Sequence, residues 1–507
     1  MADMKLKGNI MLNNPINPMT LCDYYKLSHR GQYPKGTTKV YSTWTPRMSR
    51  LQNVTKVVAF GFQAFIKEYL ITYFNENFFE RDLDGVIADY KRTVKNTLGV
   101  ENPDVSHIES LWHLGYLPIR IRAVKEGSRI PIRCPILTIE NTVDEFYWLT
   151  NYLETIMSSY LWMPTTSATI ANQYRTSLEY WSEKTGGDAS FIPFQGHDFS
   201  MRGMSGLDAS MMSGAGHLLS FVGTDTIPAI TYLERFYGAN IEKELVGCSI
   251  PATEHSVMCC NGMDELPTLQ RLLTEVYPTG LVSVVLDTWD FFKALSDVVK
   301  PLKELILGRD GKLVCRPDSG DPVKIVCGDP KALTEPERKG AIEILWDIFG
   351  GTVNDKGYKV LDPHIGCIYG DAITLERCTS ICELLAAKGF ASTNMVFGIG
   401  SYTYQYNTRD TFGFALKSTY AVINGEEVQI FKDPVTDSAA FKKSQKGQVC
   451  VLRQESGITY IDNLTEKDRL SGDLLEDVFT DGKLLRVQSL GEIRDILTLE
   501  RERWQDE

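Results

Sequence analysis

The sequence predicts an α/β protein: a β/α-barrel-like central domain with an antiparallel α+β domain built from both chain ends. The main observation is a series of seven short apolar runs in the middle of the chain. Each ends in a charged or glycine-rich segment, and most are followed by a helical stretch. Continuous apolar strands alternating with helices are typical of parallel β/α units buried on both faces. The runs are 194–202, 218–225, 248–255, 283–287, 313–318, 365–371 and 395–400.

The two ends of the chain show a different pattern. Within 116–140, the segments PIRIRAV and PILTIENT predict strands around a turn. Beyond residue 410, KSTYAVING, EEVQIFKDP and GQVCVLRQESGITYID predict further strands, and Asn424-Gly425 is a strong hairpin signal. Because the ends share this character, we expect them to form one domain. The predicted divisions are a mixed part at 1–164, the barrel-like catalytic domain at 165–409, and a C-terminal antiparallel part at 410–507.

Three segments of the N-terminal part predict helices. A short helix is expected within 20–32, entered through Thr20, and an apolar helix with regular aromatic spacing over 56–77. A long helix is expected at 143–161, before the β/α run that begins near residue 165. Residues 434–449 are polar and predict a surface loop.

Bulk properties restrict the classes of function. The 507 residues exceed one ordinary core, so two domains or a large barrel with an appendage are expected. A net charge of −12 argues against binding to nucleic acid or to an anionic membrane. The 11 cysteines contain no CxxC pair, which is typical of reduced cytoplasmic thiols. The N-terminal segment is polar and interrupted by prolines, so we expect no signal peptide, and no run approaches the roughly 20 apolar residues of a membrane span.

The predicted strand ends carry charged groups that would meet at one edge of a barrel. Ligands bind beyond the carboxyl ends of the strands in such folds. The sequence therefore predicts an active-site mouth rich in carboxylates and phosphate-binding groups. The converging residues are Arg202, Asp225, His255, Asp287, Arg316, Asp318, Asp371 and the glycines near 398–400.

Several motifs together resemble the nicotinamide phosphoribosyltransferases, a family of type II phosphoribosyltransferases. The resemblance runs from about residue 15 to 495. It implies an enzyme of NAD salvage that joins nicotinamide to phosphoribosyl pyrophosphate. It also implies Mg²⁺, ATP as a co-substrate, and a homodimer whose active sites lie at the subunit interface. The motifs are Asp23-Tyr-Tyr-Lys, Gly223-Thr-Asp-Thr, Pro251-Ala-Thr-Glu-His-Ser, Arg316-Pro-Asp-Ser-Gly-Asp-Pro, Gln32-Tyr-Pro, Tyr147-Trp-Leu-Thr-Asn, Gly370-Asp and Phe431-Lys-Asp-Pro-Val.

The resemblance implies a slot for the nicotinamide ring. Phe199 would stack on one face and Tyr25 of the partner subunit on the other, with Asp23 nearby. Arg316 and Ser283 match positions that contact the amide, and His197 matches a position that supports the slot. For an aromatic residue in this run taken alone, core packing is the alternative.

Asp225 would decide between nicotinamide and nicotinate. A carboxylate accepts hydrogen bonds from an amide but repels a second carboxylate, by about 4 kcal/mol at about 4 Å and an effective dielectric near 20. Relatives that use nicotinic acid usually show Gly-Thr-Ser-Asn, whereas this chain has Gly-Thr-Asp-Thr. The alternative is that Asp225 caps a helix beginning near Ile227.

The Arg316-Pro-Asp-Ser-Gly-Asp-Pro motif is the sharpest local signal. Gly320 would let the backbone approach a phosphate. Asp318 would bind Mg²⁺ or face the developing ribose cation, while Asp287 and Asp371 suit Mg²⁺ and ribose hydroxyls. An ordinary surface turn and simple helix caps are the alternatives.

Phosphate and pyrophosphate require cationic side chains or backbone amides. The residues matched through the resemblance are Arg202 and, from across the interface, Arg47, Arg409 and Lys417. Gly370, Gly400 and Ser401 are the matched loop positions. The chain departs from the glycine run of the animal enzymes at Ile399, Ser401 and Tyr402. Lys442, Lys443 and Lys446 fall in the polar loop, either near a nucleotide or as solvated charges.

His255 follows Glu254 at the end of the third run. The resemblance implies that ATP phosphorylates it and that turnover of the phosphohistidine promotes synthesis. The alternative is a hydrogen-bonded structural histidine. Two rival functions remain at this point: a nicotinate phosphoribosyltransferase, and a non-catalytic nucleotide- or phosphosugar-binding regulator.

Overall fold

The computed structural model describes residues 16–370, 372–432, 445–468 and 470–502. Contacts divide the chain into two compact units. The first comprises the chain up to Thr166, the stretch Phe236–Gly238 and the chain from Thr408; the second comprises Ser167–Arg235 and Ala239–Asn407. The sequence-based boundaries, after residues 164 and 409, stay a prediction.

The strands, numbered along the chain, are β1 Thr37–Thr45, β2 Lys56–Val58, β3 Ile119–Ala123, β4 Arg129–Pro131, β5 Leu137–Asn141, β6 Gly196–Asp198, β7 Gly223–Thr224, β8 Gly280–Val285, β9 Gly311–Arg316, β10 Gly351–Val353, β11 Lys359–Leu361, β12 Ile365–Tyr369, β13 Met395–Ile399, β14 Ala415–Ile423, β15 Glu426–Gln429, β16 Gln448–Gln454, β17 Gly457–Leu464, β18 Glu476–Thr480 and β19 Lys483–Leu484.

The α-helices are Lys26–His29, Phe62–Phe65, Leu83–Leu98, Ser106–Leu114, Leu149–Tyr152, Glu154–Thr185, Ile192–Gln195, Leu207–His217, Ile227–Tyr237, His255–Cys260, Glu265–Arg271, Phe291–Ala294, Lys303–Leu307, Pro322–Cys327, Glu335–Lys339, Ala341–Phe349, Leu375–Ala387, Ser401–Tyr404 and Leu490–Glu502. Wider π-type turns continue the helical path at Ile66–Tyr73, Asn75–Phe79, Leu272–Val276 and Leu295–Val299. No helix within the described ranges is long and apolar enough to cross a membrane.

The second unit is built on a ring of parallel strands. Six of them form a sheet in the order β7-β6-β13-β12-β9-β8, and every pairing is parallel. The segment 248–253 joins the two open edges of this sheet through single parallel bridges. Its residue Cys248 pairs with Gly223 of β7, and its residue Ala252 pairs with Ser283 of β8. All seven apolar runs therefore contribute to the ring, and the predicted barrel-like α/β fold is confirmed.

The first unit contains a seven-stranded sheet in the order β15-β14-β1-β5-β3-β18-β19. All its pairings are antiparallel. The N-terminal strands β1, β5 and β3 lie in the middle, and C-terminal strands flank them, since β14 pairs with β1 and β18 with β3. The Asn424-Gly425 turn between β14 and β15 has positive φ at both residues, 53° and 79°, which is the geometry that favours Asn-Gly in a two-residue hairpin. The predicted antiparallel domain from both chain ends is confirmed.

Two of the expected helices have different bounds. The apolar segment expected to be helical over 56–77 starts as strand β2, which pairs with β4 and buries Val57 completely. Gly61, with a φ of 103°, separates this strand from the helix that begins at Phe62. The helix expected at 143–161 is replaced by a short helix and by the 32-residue helix Glu154–Thr185, which continues through Pro164.

A buried carboxylate organises the helix start in the first unit. Glu126 is 2% exposed and accepts hydrogen bonds from the backbone N–H groups of Gly61 and Gln63, both at 2.7 Å, and from the Tyr237 hydroxyl at 2.9 Å. Burial raises the pKa of Glu126, while these donors favour its ionised form. The carboxylate thus ties the start of the helix at Phe62 to the stretch 236–238 of the same unit.

We expect Glu126→Ala to destabilise the protein, because two buried backbone donors and one hydroxyl lose their acceptor. The expected loss is about 3 kcal/mol, from unpaired buried donors partly offset by removal of a buried charge. Urea denaturation followed by tryptophan fluorescence measures it. Glu145→Ala removes an exposed carboxylate and serves as the control. Equal midpoints for the two variants would contradict the assignment.

Candidate active site

Four polar or aromatic side chains meet at the β6–β7 edge of the ring in the second unit. His197 and Phe199 belong to the end of β6, and their rings lie 4.4 Å apart between centroids. Asp225 follows β7, and Ser249 lies on the segment that closes the ring. The Oδ1 atom of Asp225 is 2.9 Å from His197 Nε2 and 2.6 Å from Ser249 Oγ.

This arrangement depends on a buried carboxylate that the sequence reasoning missed. Asp198 is fully buried, and its carboxylate accepts hydrogen bonds from Ser200 N at 2.9 Å and Thr226 Oγ1 at 2.7 Å. Its backbone oxygen accepts the N–H of Asp225 at 2.9 Å. Asp198 therefore holds the two loops that carry Phe199 and Asp225 in register. The position of Asp198 between His197 and Phe199 in the sequence could have indicated that it belongs to the site.

The Asp225 carboxylate faces the site and does not cap the following helix. Its side chain is 47% exposed, and no described residue donates a hydrogen bond to Oδ2. Partial burial alone would raise the pKa of Asp225, but the hydrogen bonds from His197 and Ser249 and the charge of Arg316 leave it below its usual value. The group is therefore an ionised acceptor.

His255, Asp287 and Asp318 form a second cluster beyond β8 and β9. His255 Nε2 lies 3.0 Å from Asp287 Oδ1, and His255 Nδ1 lies 4.0 Å from Asp318 Oδ2. The other Asp287 oxygen accepts the backbone N–H groups of Asp318 at 2.8 Å and Ser319 at 2.7 Å. Burial would raise the pKa of Asp287, but these backbone donors and His255 lower it overall. An ionised Asp287 only accepts, so Nε2 carries the imidazole hydrogen and the Nδ1 lone pair lies on the side of Asp318.

Arg316 connects this cluster to the ring. Its Nη2 donates to the Thr253 carbonyl at 2.6 Å, and its Nε lies 3.4 Å from Asp318 Oδ1. Gly370 lets Asp318 take this position, because a Cβ at 370 would lie 1.8 Å from Asp318 Oδ1. Gly320, inside the motif, has a φ of 91°, the left-handed conformation that favours glycine in a tight turn.

A cavity of about 220 Å³ lies within the second unit and includes much of the predicted ring slot. Phe199, Asp225, Ser249, Ser283 and Arg316 line one part of it, and the remaining lining is mostly apolar. The Ser283 hydroxyl is buried and has no hydrogen-bond partner among the described residues, so it is available to a bound molecule. The cavity thus combines an aromatic face, an ionised acceptor and an unused hydroxyl.

The residues of the second unit that are predicted to bind phosphate lie near this cavity. Arg202 is exposed and lines a neighbouring groove together with Phe199 and Asp225. Gly400 ends the loop after β13, and the Ile399 carbonyl accepts the Phe199 N–H at 3.0 Å. Ser401 packs closely on Gly203, where a Cβ would lie 2.0 Å from the Ser401 hydroxyl oxygen.

The other predicted binding residues belong to the first unit. Arg47, Arg409 and Lys417 influence one another electrostatically. Burial lowers the pKa of Arg47, as does the charge of Arg409. Burial lowers the pKa of Lys417 as well; Glu154 opposes this shift and the neighbouring cations add to it. Three cations that lie close enough to interact, of which Arg409 and Lys417 are exposed, form a candidate anion site.

Tyr25 and Asp23 occupy the beginning of the first unit. Tyr25 is 55% exposed, and its ring lies edge-on to His29 at 4.8 Å between centroids. The Asp23 carboxylate accepts a hydrogen bond from Thr155 Oγ1 at 2.9 Å.

Lys446, from the polar loop, lies 5.3 Å from the centroid of the Phe431 ring. Asp371, Lys442 and Lys443 fall outside the described residues.

The carboxylates suit a magnesium ion that is shared with phosphate oxygens. Among the residues that the structure describes, no group of three or more His, Cys, Asp or Glu side chains could enclose a metal. Mg²⁺ usually binds through one or two carboxylates together with substrate phosphates. Asp318 and Asp287 would be the candidate carboxylates for such a contact; the oxygens of Asp287 already accept three hydrogen bonds, and Asp318 lies beside His255 and Arg316.

Two family models match the chain. The nicotinate phosphoribosyltransferase (NAPRTase) family matches residues 194–483, and the nicotinamide phosphoribosyltransferase N-terminal domain matches residues 17–121. The chain is 50% identical to the nicotinamide phosphoribosyltransferase of Acinetobacter baylyi over 504 residues, covering 97% of this chain and 99% of that protein. It is 35% identical to the Mycoplasma pneumoniae protein of the same name over 457 residues, covering 84% and 94%.

Solved structures with a similar fold have low sequence identity. The nicotinate-nucleotide pyrophosphorylase from Pyrococcus furiosus superposes with a TM-score of 0.59 at 13% identity, covering all of both chains. The human nicotinic acid phosphoribosyltransferase superposes with a TM-score of 0.52 at 14% identity, covering 95% of this chain and 93% of that one. At these identities the likeness concerns the fold alone.

Proposed function

The chain belongs to the nicotinate phosphoribosyltransferase family, and from that membership we propose that it is the pentosyltransferase that joins nicotinamide to phosphoribosyl pyrophosphate. The products are nicotinamide mononucleotide and pyrophosphate, and the reaction belongs to NAD salvage. The 50% identity to the Acinetobacter baylyi nicotinamide phosphoribosyltransferase supports this assignment. Within the site, the observation that carries it is the ionised, cavity-facing carboxylate of Asp225.

Asp225 favours nicotinamide over nicotinate, although the matching family model is named for nicotinate. Its free oxygen accepts an amide N–H, while a ligand carboxylate would face a fixed negative charge. Because the side chain is 47% exposed, solvent screens this repulsion to well below the value for a buried pair. Nicotinamide, whose amide donates hydrogen bonds, is thus preferred over nicotinate both by hydrogen bonding and by charge.

The transfer itself needs position and charge more than proton movement. The pyridine nitrogen carries a free lone pair, so it attacks C1 of the ribose without a general base. The C1–oxygen bond to pyrophosphate breaks, and its electron pair leaves with the pyrophosphate oxygen. Phe199 holds the ring, Arg316 contacts the amide, and Asp318 faces the carbon that becomes positive. We assign Arg202, Gly370, Gly400 and Ser401 to the phosphoribosyl group, and Ser283 to the amide.

Bound Mg²⁺ would screen the phosphate charges as a Lewis acid. Asp318 is the carboxylate that we assign to direct contact with the ion, and Asp287 supports it through the backbone of the 318–319 turn. Asp371, which the resemblance assigns to the ribose hydroxyls, keeps that role in the proposal.

His255 is proposed to couple ATP hydrolysis to the transfer. Its Nδ1 lone pair attacks the γ-phosphorus of ATP, the bond to the bridging oxygen breaks, and ADP leaves with that electron pair. Asp287 holds the hydrogen on Nε2 and stabilises the positive charge that develops on the ring. Water later hydrolyses the phosphoimidazole, releasing inorganic phosphate and restoring the imidazole. We therefore assign the phosphoryl group to Nδ1 in this proposal.

We further propose a cytoplasmic homodimer with shared active sites. All 11 cysteines are free, which fits a reducing compartment. Tyr25, Asp23, Arg47, Arg409 and Lys417 would serve the second unit of the partner subunit. In this arrangement the three interacting cations of the first unit would receive an anionic ligand.

The first prediction of this subsection concerns Asp225. Asp225→Ser should lower kcat/KM for nicotinamide about 10- to 100-fold, as expected for loss of a charged hydrogen bond, and should raise the relative use of nicotinate. Chromatographic separation of the two mononucleotides after incubation with phosphoribosyl pyrophosphate and Mg²⁺ measures both. Asp208→Ser, at an exposed helix position, is the control. A wild-type preference for nicotinate would overturn the substrate assignment.

A second prediction tests the shared sites. Tyr25→Ala and Asp318→Ala are each expected to be inactive, because one removes the ring stack and the other the carboxylate at the reacting carbon. Mixed subunits should recover up to about a quarter of wild-type activity, since hybrid dimers contain one intact site. Subunit exchange is verified with differently tagged chains. Exchange without recovery counts against interface sites.

The third prediction concerns His255. His255→Ala should abolish ATP hydrolysis and its stimulation of synthesis, while a slower ATP-independent transfer remains because no base is needed. Labelling with γ-labelled ATP, alkaline digestion and comparison with the two phosphohistidine isomers should yield the Nδ1 isomer. His113→Ala, an exposed histidine of the first unit, is the control. Persistent labelling in His255→Ala, or full stimulation by ATP, would make this histidine structural.

A further inference from the structure

We propose that Ser249 is a second specificity-determining residue for the pyridine substrate and works as a pair with Asp225. Its hydroxyl donates to Asp225 and its oxygen lone pairs face the cavity, where they accept one N–H of the carboxamide. The inference rests on the proposed function, since it concerns how the same site distinguishes an amide from an acid.

The backbone fixes Ser249 beside Asp225. Cys248, the preceding residue, donates its N–H to the Val222 carbonyl at 2.7 Å and accepts the Thr224 N–H at 2.9 Å. Thr224 in turn directly precedes Asp225. Both side chains therefore leave adjacent, hydrogen-bonded segments of the ring at the same level, and both line the same cavity.

Both donors to Asp225 use the same oxygen. His197 Nε2 and Ser249 Oγ lie 2.9 Å and 2.6 Å from Oδ1, and no described residue donates to Oδ2. Two donors on one oxygen restrict rotation of the carboxylate and direct the other oxygen toward the ligand. Gly223 makes room for this, because a Cβ there would lie 2.8 Å from His197 Nδ1.

The placement of hydrogens follows from the charge of Asp225. An ionised carboxylate only accepts, so the single hydroxyl hydrogen of Ser249 points to Oδ1. The serine, which could otherwise donate or accept, is left as an acceptor toward the cavity. Asp225 Oδ2 and Ser249 Oγ then form a pair of acceptors for the two N–H groups of a carboxamide. Nicotinate brings no hydrogen to either atom, so it loses both bonds in addition to meeting the repulsion of Asp225.

The test compares Ser249→Ala with Ser249→Thr, which keeps a hydroxyl. Kinetics are measured with nicotinamide, nicotinate and phosphoribosyl pyrophosphate each varied in turn. For Ser249→Ala we expect KM for nicotinamide to rise about tenfold, KM for phosphoribosyl pyrophosphate to stay within twofold, and the nicotinamide-to-nicotinate ratio of kcat/KM to fall about tenfold. Ser249→Thr should restore most of that ratio. Ser256→Ala, an exposed serine, controls for general effects of the substitution.

The outcomes separate this inference from the proposed function. If the wild type makes nicotinamide mononucleotide with an amide preference and Ser249→Ala keeps that preference, the role of Ser249 is refuted and the proposed function stands. A parallel loss for all three substrates shows a structural serine and also refutes the role. A wild type without transferase activity refutes the proposed function itself.

Discussion

Closure of the parallel ring by the irregular segment 248–253 is the constraint on which the rest of the candidate site depends. At one end, the backbone of Cys248 is bonded to β7, which fixes Ser249 against Asp225. At the other end, Thr253 accepts Arg316 through its carbonyl, and its hydroxyl oxygen accepts the Val285 N–H. The chain then turns directly into the helix that begins with His255. The residues proposed for amide contact, Ser249 and Arg316, and the histidine proposed for phosphorylation are thus positioned by one six-residue connection.

Much of the fold was predictable because buried parallel strands leave a strong mark on a sequence. The seven apolar runs all contribute to the ring. In the antiparallel sheet, Asn424-Gly425 correctly predicted the hairpin between β14 and β15. The 56–77 segment was harder, because a short apolar strand and an apolar helix have the same composition and are separated only by Gly61. The bounds of the long helix were wrong since Pro164 lies in it without ending it.

The candidate site was predictable in its list of charged residues but not in their pairing. A strand-end aspartate in a sequence could cap a helix, bind a metal or contact a ligand. The structure distinguishes among three such residues by their hydrogen bonds. Asp198 accepts hydrogen bonds from two loops, and Asp287 pairs with His255 and the 318–319 turn. Asp225 pairs with His197 through one oxygen and leaves the other toward the cavity. Ser249 carried no signal, because a lone serine before Ile-Pro has no meaning until Asp225 is placed beside it. Side-chain pairing across strands depends on ring register, which local patterns do not encode.

The mutually repelling cations of the first unit have a thermodynamic consequence. Besides burial, the charge of Arg409 lowers the pKa of Arg47, and both arginines lower that of Lys417, so the three cations repel one another. Asp410 and Glu154 offset part of this repulsion. A phosphate group bound at this cluster, as proposed, would offset the remaining repulsion and stabilise the folded chain relative to the unfolded one. The thermal stability of the protein would therefore rise with the concentration of its phosphorylated substrate.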